Sequence, residues 1–387
     1  MGKHRDVVLV LLINFLYHTM NQMFVPTLPV YITGLGGDEV VVGAIVGLLS
    51  LGAIIAKVFF GKLATRSSNL LVLRIGLLVA TCVLVLYQPF WGFGFLALVR
   101  LIQSIGLAGF ITGAQGVLSD NTKPHNRGFL FGIFSSMVGL GMAVGPLLGS
   151  YLADTFSYSV FFWGTSVVVG IAMLFSFFMK GKPLASGPGM GRKYQPHSPW
   201  KNPKLLVVSG SMFLAASVMG ATASILTLHA LAVGIAIPGL FFVLFASTFT
   251  LSGATAGFLS DRFGRSTLII PGFCLLIAGL LLLSFLNGLV ILVTSAILCG
   301  IGFGFVNTVL LAMVPGYSMN PVDAANDLAF FSNAFDLGVV LGSIGLSWLA
   351  AHSYGLFWLA VAGANVIGLL FYLRHNPERE KKKKAQH

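Results

Sequence analysis

Two charged residues stand where charge is costly. Asp336 lies in the run SNAFDLGVVLG and Arg100 in LALVRLIQSIG, each surrounded by apolar neighbours. A carboxyl group in water-poor surroundings holds its proton tightly, and a nearby cation loosens that hold. A carboxyl that alternates between the two conditions can carry a proton, so Asp336 is the candidate carrier. Arg100 keeps its charge at any ordinary pH. Buried in lipid it would cost at least about 2.5–3.5 kcal/mol at the bilayer centre, so it must face a wet cavity or a partner. Arg100 is the candidate second member of a proton-coupling pair. A permanent Arg100–Asp336 ion pair would instead make both residues structural.

Other polar side chains recur at helical spacing. Asn14, Tyr17, His18, Asn21 and Gln22 follow one another at steps of three and four residues and form one polar stripe on an apolar segment. Such a stripe belongs against protein or a water-filled cavity. His18 has an ordinary pKa near neutrality, although a lone interior histidine is more often simply hydrogen-bonded. Gln103, Ser104 and Gln115 extend along roughly the face that Arg100 occupies. Asn307 and Thr308, with Ser224 and Thr227, are weaker candidates for the same cavity. The residues expected to line it are Asn14, Tyr17, His18, Asn21, Gln22, Gln103, Gln115 and Asn307.

Several chemistries are missing. The chain has no G-x-x-x-x-G-K-[ST] loop for a nucleotide, no histidine, cysteine and carboxylate constellation for a metal, and no defensible Ser-His-Asp set. It is therefore read as a non-enzyme without a cofactor. Cys82, Cys274 and Cys299 have no metal-like spacing and are expected to be small buried hydrophobes.

The elements that must hold these residues follow from composition. Of 387 residues 56% are hydrophobic and 9% charged, against about 25% charged in soluble domains. Twelve apolar runs explain the deficit, at 7–33, 40–60, 70–90, 93–118, 128–152, 157–179, 205–229, 236–258, 267–286, 288–314, 327–350 and 354–373. Runs of roughly 20 residues span a bilayer as helices, which satisfy their own backbone groups in lipid. The fold class is thus all-α integral membrane. With residue 1 in the cytoplasm, nearly every Lys and Arg falls on the cytoplasmic side, and the opposite loops 34–39, 87–92, 153–157, 230–235, 286–288 and 351–355 contain none. This positive-inside bias puts both termini in the cytoplasm. It also accounts for the net charge of +12 without nucleic acid. The Lys381–Lys384 run is either a solvated tail or a contact for anionic lipid.

Residues 180–204, rich in Pro, Gly and positive charge, divide the runs six and six and are read as a cytoplasmic linker. It separates a six-helix bundle, 1–179, from a second, 205–373, with a basic tail at 374–387. The bundles resemble each other at an offset of 196 or 197 positions: Gly61 and Arg66 with Gly257 and Arg262, Gly106 with Gly302, Phe134-Ser135 with Phe331-Ser332, Gly141 and Gly145 with Gly338 and Gly342. Six helices per copy is an even number, so the copies form a parallel pair, with a solute site expected between them. Gly141, Gly145 and Gly149 share a face that permits close helix approach, and Pro146 removes a backbone donor. Together they suggest a bendable interface between the halves, or close packing alone.

These residues resemble the major facilitator superfamily along the whole chain. Gly257-Phe-Leu-Ser-Asp261-Arg262-Phe-Gly264-Arg265 is similar to its G-x-x-x-D-R-x-G-R loop, and Gly61 to Asn69 is a reduced copy with Thr65 in place of the acid. Arg100-Leu-Ile-Gln103-Ser-Ile-Gly106 resembles its R-x-x-Q-G-x-G pattern. The set Gly132, Gly141, Gly145-Pro146 and Gly149 resembles the span found in drug/proton exchangers of the family. The resemblance implies that Asp261, Arg262 and Arg265 form a charge cluster closing an inward gate. Arg66, Asp120 and Arg127 are placed to join it, although solvated loop charges would look the same.

The expectation is a monomeric secondary transporter in a plasma (bacterial inner) membrane. Its partners would be a small solute, protons and lipid, and it would work by alternating access with protons entering as solute leaves. Uptake by proton symport on the same fold is the first rival, and efflux of an endogenous metabolite the second. A receptor or membrane enzyme is the rival from another class; the short loops and lack of catalytic clusters argue against it.

Overall fold

Close packing in the core is set by where glycine permits it, and the helices are arranged accordingly. The computed structural model describes residues 2–122, 127–180, 198–263, 265–318 and 321–375. The chain divides into two compact units, Met1–Arg192 and Lys193–His387. Unit 1 holds α1 (Gly2–Gly34), α2 (Glu39–Arg66), α3 (Asn69–Val85), α4 (Phe93–Asn121), α5 (Arg127–Thr155) and α6 (Tyr158–Phe177). Unit 2 holds α7 (Pro203–Ala232), α8 (Gly239–Phe263), α9 (Arg265–Ser284), α10 (Leu289–Met313), α11 (Pro321–Val340, continued to Ala350) and α12 (Tyr354–His375). The molecule is an all-α, twelve-helix membrane fold of two helical bundles. Among the described residues eleven helices are long and apolar enough to cross a bilayer. The twelfth, α3, is shorter at 17 residues, because the helix ends at Val85 rather than reaching residue 90.

Local chemistry sets the ends. Asp38 accepts the Val41 N–H at 2.8 Å, Ser68 that of Leu71 at 3.1 Å, and Ser157 that of Val160 at 3.2 Å. Asn202 caps α7 with Pro203 in the first turn. Each side chain satisfies a donor that the first turn would leave bare. Gly36 and Gly92 turn the chain with φ of 90° and 99°, a region where a side chain is strained. Helix α7 therefore begins inside the stretch read as linker. Residues 181–197 of that stretch and the basic tail from 376 lie outside the described residues.

The same pairings recur in both units. Helix α1 packs on α5 and α6 as α7 packs on α11 and α12; α4 contacts α2 and α3 as α10 contacts α8 and α9. The internal repeat is thus visible in the packing as well as in the sequence. Outward faces are apolar: Ile55, Val58 and Phe59 on α2 are exposed, as a lipid-facing surface requires.

Glycine sets how near the paired helices come. A Cβ on Gly141 would sit 2.9 Å from the Thr19 nitrogen, and one on Gly145 would sit 2.5 Å from the Thr19 oxygen. Gly149 lies on Met23. In unit 2, Gly338 lies against Phe213, Gly342 against Ser217, and Gly220 against Val339. The Gly141, Gly145 and Gly149 face thus packs closely on α1 of its own unit. Helix α5 runs on through Pro146. Two segments of unit 2 widen to π geometry, Thr222–Leu226 in α7 and Leu341–Gly345 in α11. Hydroxyls of Thr222, Ser224 and Ser343 bond back to carbonyls of their own helices at 2.7–2.9 Å.

The cysteines differ from expectation. Cys299 is buried, but Cys82 and Cys274 are exposed, because apolar residues in lipid need not face inward. The Gly145→Val variant should force α5 off α1. A loss of about 1–3 kcal/mol is expected from overpacking, read as a lower melting temperature in detergent, with Leu148→Val on the exposed face as the unaffected control.

Candidate functional site

Arg100 sits two turns into α4 and is 5% exposed. Its Nη1 donates to Gln103 Oε1 at 2.8 Å, one helical turn on. The Tyr87 phenol donates to the same oxygen at 2.7 Å, and the Tyr31 hydroxyl in turn donates to the Tyr87 carbonyl at 3.3 Å. The Phe24 ring lies 5.9 Å from the guanidinium carbon, within cation–π range. Arg100 Nε and Gln103 Nε2 are buried without acceptors among the described residues. Helices α1 and α4 build this cluster, and Tyr87 reaches it from the turn just after α3.

The polar stripe on α1 is split. Asn14 donates to the Phe134 carbonyl of α5 at 2.8 Å and is fully buried. Tyr17 stacks on Phe110 of α4 with ring centroids 3.8 Å apart. Those two residues are packed inside unit 1, while His18, Asn21 and Gln22 are half-buried. Gln103 and Ser104 are buried beside Arg100, and Gln115 is exposed. Asn307 in α10 is half-buried. Ser224 bonds to its own helix at Gly220.

Asp336 is buried at 8% exposure within α11. It has a buried companion on the same helix that spacing alone did not single out: Asp327, 2% exposed, accepts from Ser318 at 2.7 Å, and its other oxygen has no donor among the described residues.

At the end of unit 1 that holds the start of α1, Asp120 accepts from Asn69 at 2.8 Å. Asp6 pairs with Arg5 at 3.8 Å and accepts the Lys180 backbone N–H at 3.2 Å. Asp6, Asn69, Asp120 and Lys180 line one small polar cavity. Arg74 donates to the Ser176 carbonyl at 2.9 Å, closing the C-terminal end of α6. Arg66 and Arg262 are exposed. The side chains of Arg127, Asp261 and Arg265 lie outside the described residues, so the expected charge cluster is only partly in view. Among the described residues no three His, Cys, Asp or Glu side chains converge as a metal site.

Sequence reading passed over Asp6, Tyr87 and the pair His229–Trp358. Trp358 Nε1 donates to His229 Nδ1 at 2.9 Å, and Tyr354 stacks on the imidazole. A charged or aromatic residue near a helix end carries no signal that it will cross to another helix.

A family model described as Major Facilitator Superfamily matches residues 10–237 and 205–387. The multidrug resistance protein MdtG of Dickeya zeae is 26% identical over 385 residues, covering 93% of this chain and 92% of that protein. Two solved structures share the fold. One is a bacterial homologue of the human lysosomal transporter Spinster, with TM-score 0.83, 15% identity and 97% of each chain covered. The other is the nucleoside transporter NupG, with TM-score 0.79, 17% identity, and 96% of this chain and 99% of that chain covered.

Tyr87→Phe removes one of the two donors on Gln103 Oε1 and keeps the ring. The expected cost is about 0.5–1.5 kcal/mol, read from thermal unfolding. No change at all would mean that Gln103 Oε1 is satisfied by Arg100 alone and that the phenol adds nothing to stability.

Proposed function

We propose that this chain, which belongs to the Major Facilitator Superfamily, exports a small solute in exchange for protons. Membership makes it a secondary transporter of a small solute; the exchange, its direction and the residues that carry it are the reading advanced here. The observation that carries the coupling is a carboxylate, Asp336, buried at 8% exposure inside a membrane helix. A buried carboxyl favours its protonated form, and a cation or water brought near favours release. Conformations that alternate the two environments move one proton per cycle in the direction the gradient dictates.

Outward movement of solute is supported by the Gly-Pro span of α5 and by a relative that carries the words multidrug resistance. The half-buried His18, Asn21 and Gln22 offer polar contacts to the solute. Asp261, Arg262 and Arg265, with Arg66, Asp120 and Arg127, are assigned to closing the cytoplasmic side, where both termini lie. The membrane is the plasma membrane.

Proteoliposomes with an acidic interior test this. A panel of lipophilic cations, organic anions, sugars and nucleosides is added outside, and internal pH is followed. A solute that collapses the gradient through wild type identifies its class. With Asp336→Asn that collapse should fall to the level of protein-free vesicles. Full proton flux in the variant would remove Asp336 from the coupling, and solute movement without any proton flux would remove the coupling itself.

A further inference from the structure

One pole of unit 2 gathers basic side chains from two helices. Helices α7 and α12 run antiparallel against each other along their whole length. Trp358 donates to His229 at 2.9 Å, Asn365 donates to Ser217 at 3.3 Å, Gly368 packs on Leu214, and Phe371 packs on Gly210. Beyond that last contact, and on the same side of it, lie Lys204 and Arg374, each within about two turns. Lys201 stands just before α7 in the short turn Pro199–Lys201. Lys201 and Arg374 are exposed and Lys204 is half-buried. Neither helix, nor the chain leading into α7 from residue 155 on, contains an Asp or Glu. Asp327 of the neighbouring α11 is buried against Ser318.

Both exposed cations stand beside a marker of the boundary between water and lipid. On α12, Leu359, Val366, Ile367 and Leu370 are exposed and share one face. Arg374 continues that face four residues after Leu370. An apolar stripe exposed on a spanning helix faces lipid, and an arginine at its end carries its charge out to the headgroups. At the start of α7, Trp200 is 71% exposed next to Lys201. Its ring meets Phe330 edge-on at 4.8 Å, and Asn202 donates to the Tyr317 carbonyl at 3.1 Å, so the turn is fixed on the rest of the unit. An exposed tryptophan at the end of a spanning helix sits at headgroup level. Lys201 and Arg374 are thus both held at headgroup depth, each with apolar surface beside it.

We propose that this pole is a docking surface for anionic phospholipid, with the headgroup phosphate on Arg374 and Lys201 and the acyl chains along the exposed stripe of α12. A phosphate matches the fork of a guanidinium and pairs with an ammonium as a point charge. A leaflet rich in anionic lipid draws basic side chains to its surface. A zwitterionic lipid brings a cation of its own to the same place and gains less. The surface is built from described helix ends, so it does not need the Lys381–Lys384 run, and it holds whichever solute crosses and in whichever direction.

The test is thermal unfolding of the purified full chain in neutral detergent, titrated with phosphatidylglycerol, with phosphatidylcholine of the same acyl chains, or with inorganic phosphate. A ligand that binds the native state raises the melting temperature with concentration. Phosphatidylglycerol should raise it more than phosphatidylcholine does, and inorganic phosphate, which has no chains for the stripe, should leave it unchanged. In the double variant Lys201→Gln, Arg374→Gln the phosphatidylglycerol shift should fall to the phosphatidylcholine level. Its lipid-free melting temperature should match wild type, since both side chains are exposed. A variant with Lys381, Lys382, Lys383 and Lys384 all changed to Gln loses more charge yet should keep the full shift. Equal shifts for the two lipids would overturn the proposal, as would a full phosphatidylglycerol shift in the double variant. Loss of the shift in the tail variant would overturn it too, because the headgroups would then be held by the tail.

Discussion

In a bilayer no water waits to accept a hydrogen bond, and every polar group in this protein is placed under that constraint. The backbone meets it within each helix. Hydroxyls meet it by turning back on their own helix, as Thr81, Thr165, Ser224 and Ser343 do. Asn14 reaches across to a carbonyl of α5. What remains among the described residues is a set of buried side-chain atoms that these local solutions do not meet, including Arg100 Nε, Gln103 Nε2, Asn14 Oδ1, Asp327 Oδ1, Asn365 Oδ1 and several Ser and Thr hydroxyls.

The fold was legible because the same constraint writes itself into long apolar runs. Twelve runs, a basic break after the sixth and a recurrent glycine pattern led to two bundles of six helices. The end of α3 was misjudged because Leu86, Tyr87 and Phe90 extend the apolar run, although Gln88-Pro89 is a local break signal and the helix ends just before it. The site was legible by residue type and less so by partner. Arg100 and Asp336 stand out because charge is rare in such runs. Gln115 was grouped with Arg100 by spacing, and spacing does not tell that one is exposed and the other buried. Tyr87 gives no warning in the sequence, because its role depends on α3 ending early enough to bring the next turn down onto α4. The two exposed cysteines show the same limit: hydrophobicity in lipid does not say which side of a helix faces the protein.

The repeat is unevenly executed, and the unevenness is chemical. The two units use glycine alike to seat α5 on α1 and α11 on α7. They differ along the helices themselves. Pro26 and Pro29 of α1, moved by the 196-residue offset, fall on the π segment of α7. Pro146 of α5, moved by 197, falls on the π segment of α11. At corresponding points one unit interrupts its hydrogen-bond ladder with an imino acid and the other with a change of register.

Those two interruptions have different permanence. A proline lacks its N–H for good, so the carbonyl it fails to meet stays unmet by the backbone however the helix moves. A π turn has every N–H and has merely chosen a more distant carbonyl. It can be annealed: shifting the ladder by one residue restores ordinary α geometry, shortens the wide turn and swings the side chains beyond it around the axis. Unit 1 thus carries its two defects as fixed joints. Unit 2 carries them as reversible dislocations, able to glide along α7 and α11 and to be healed without breaking a covalent rule.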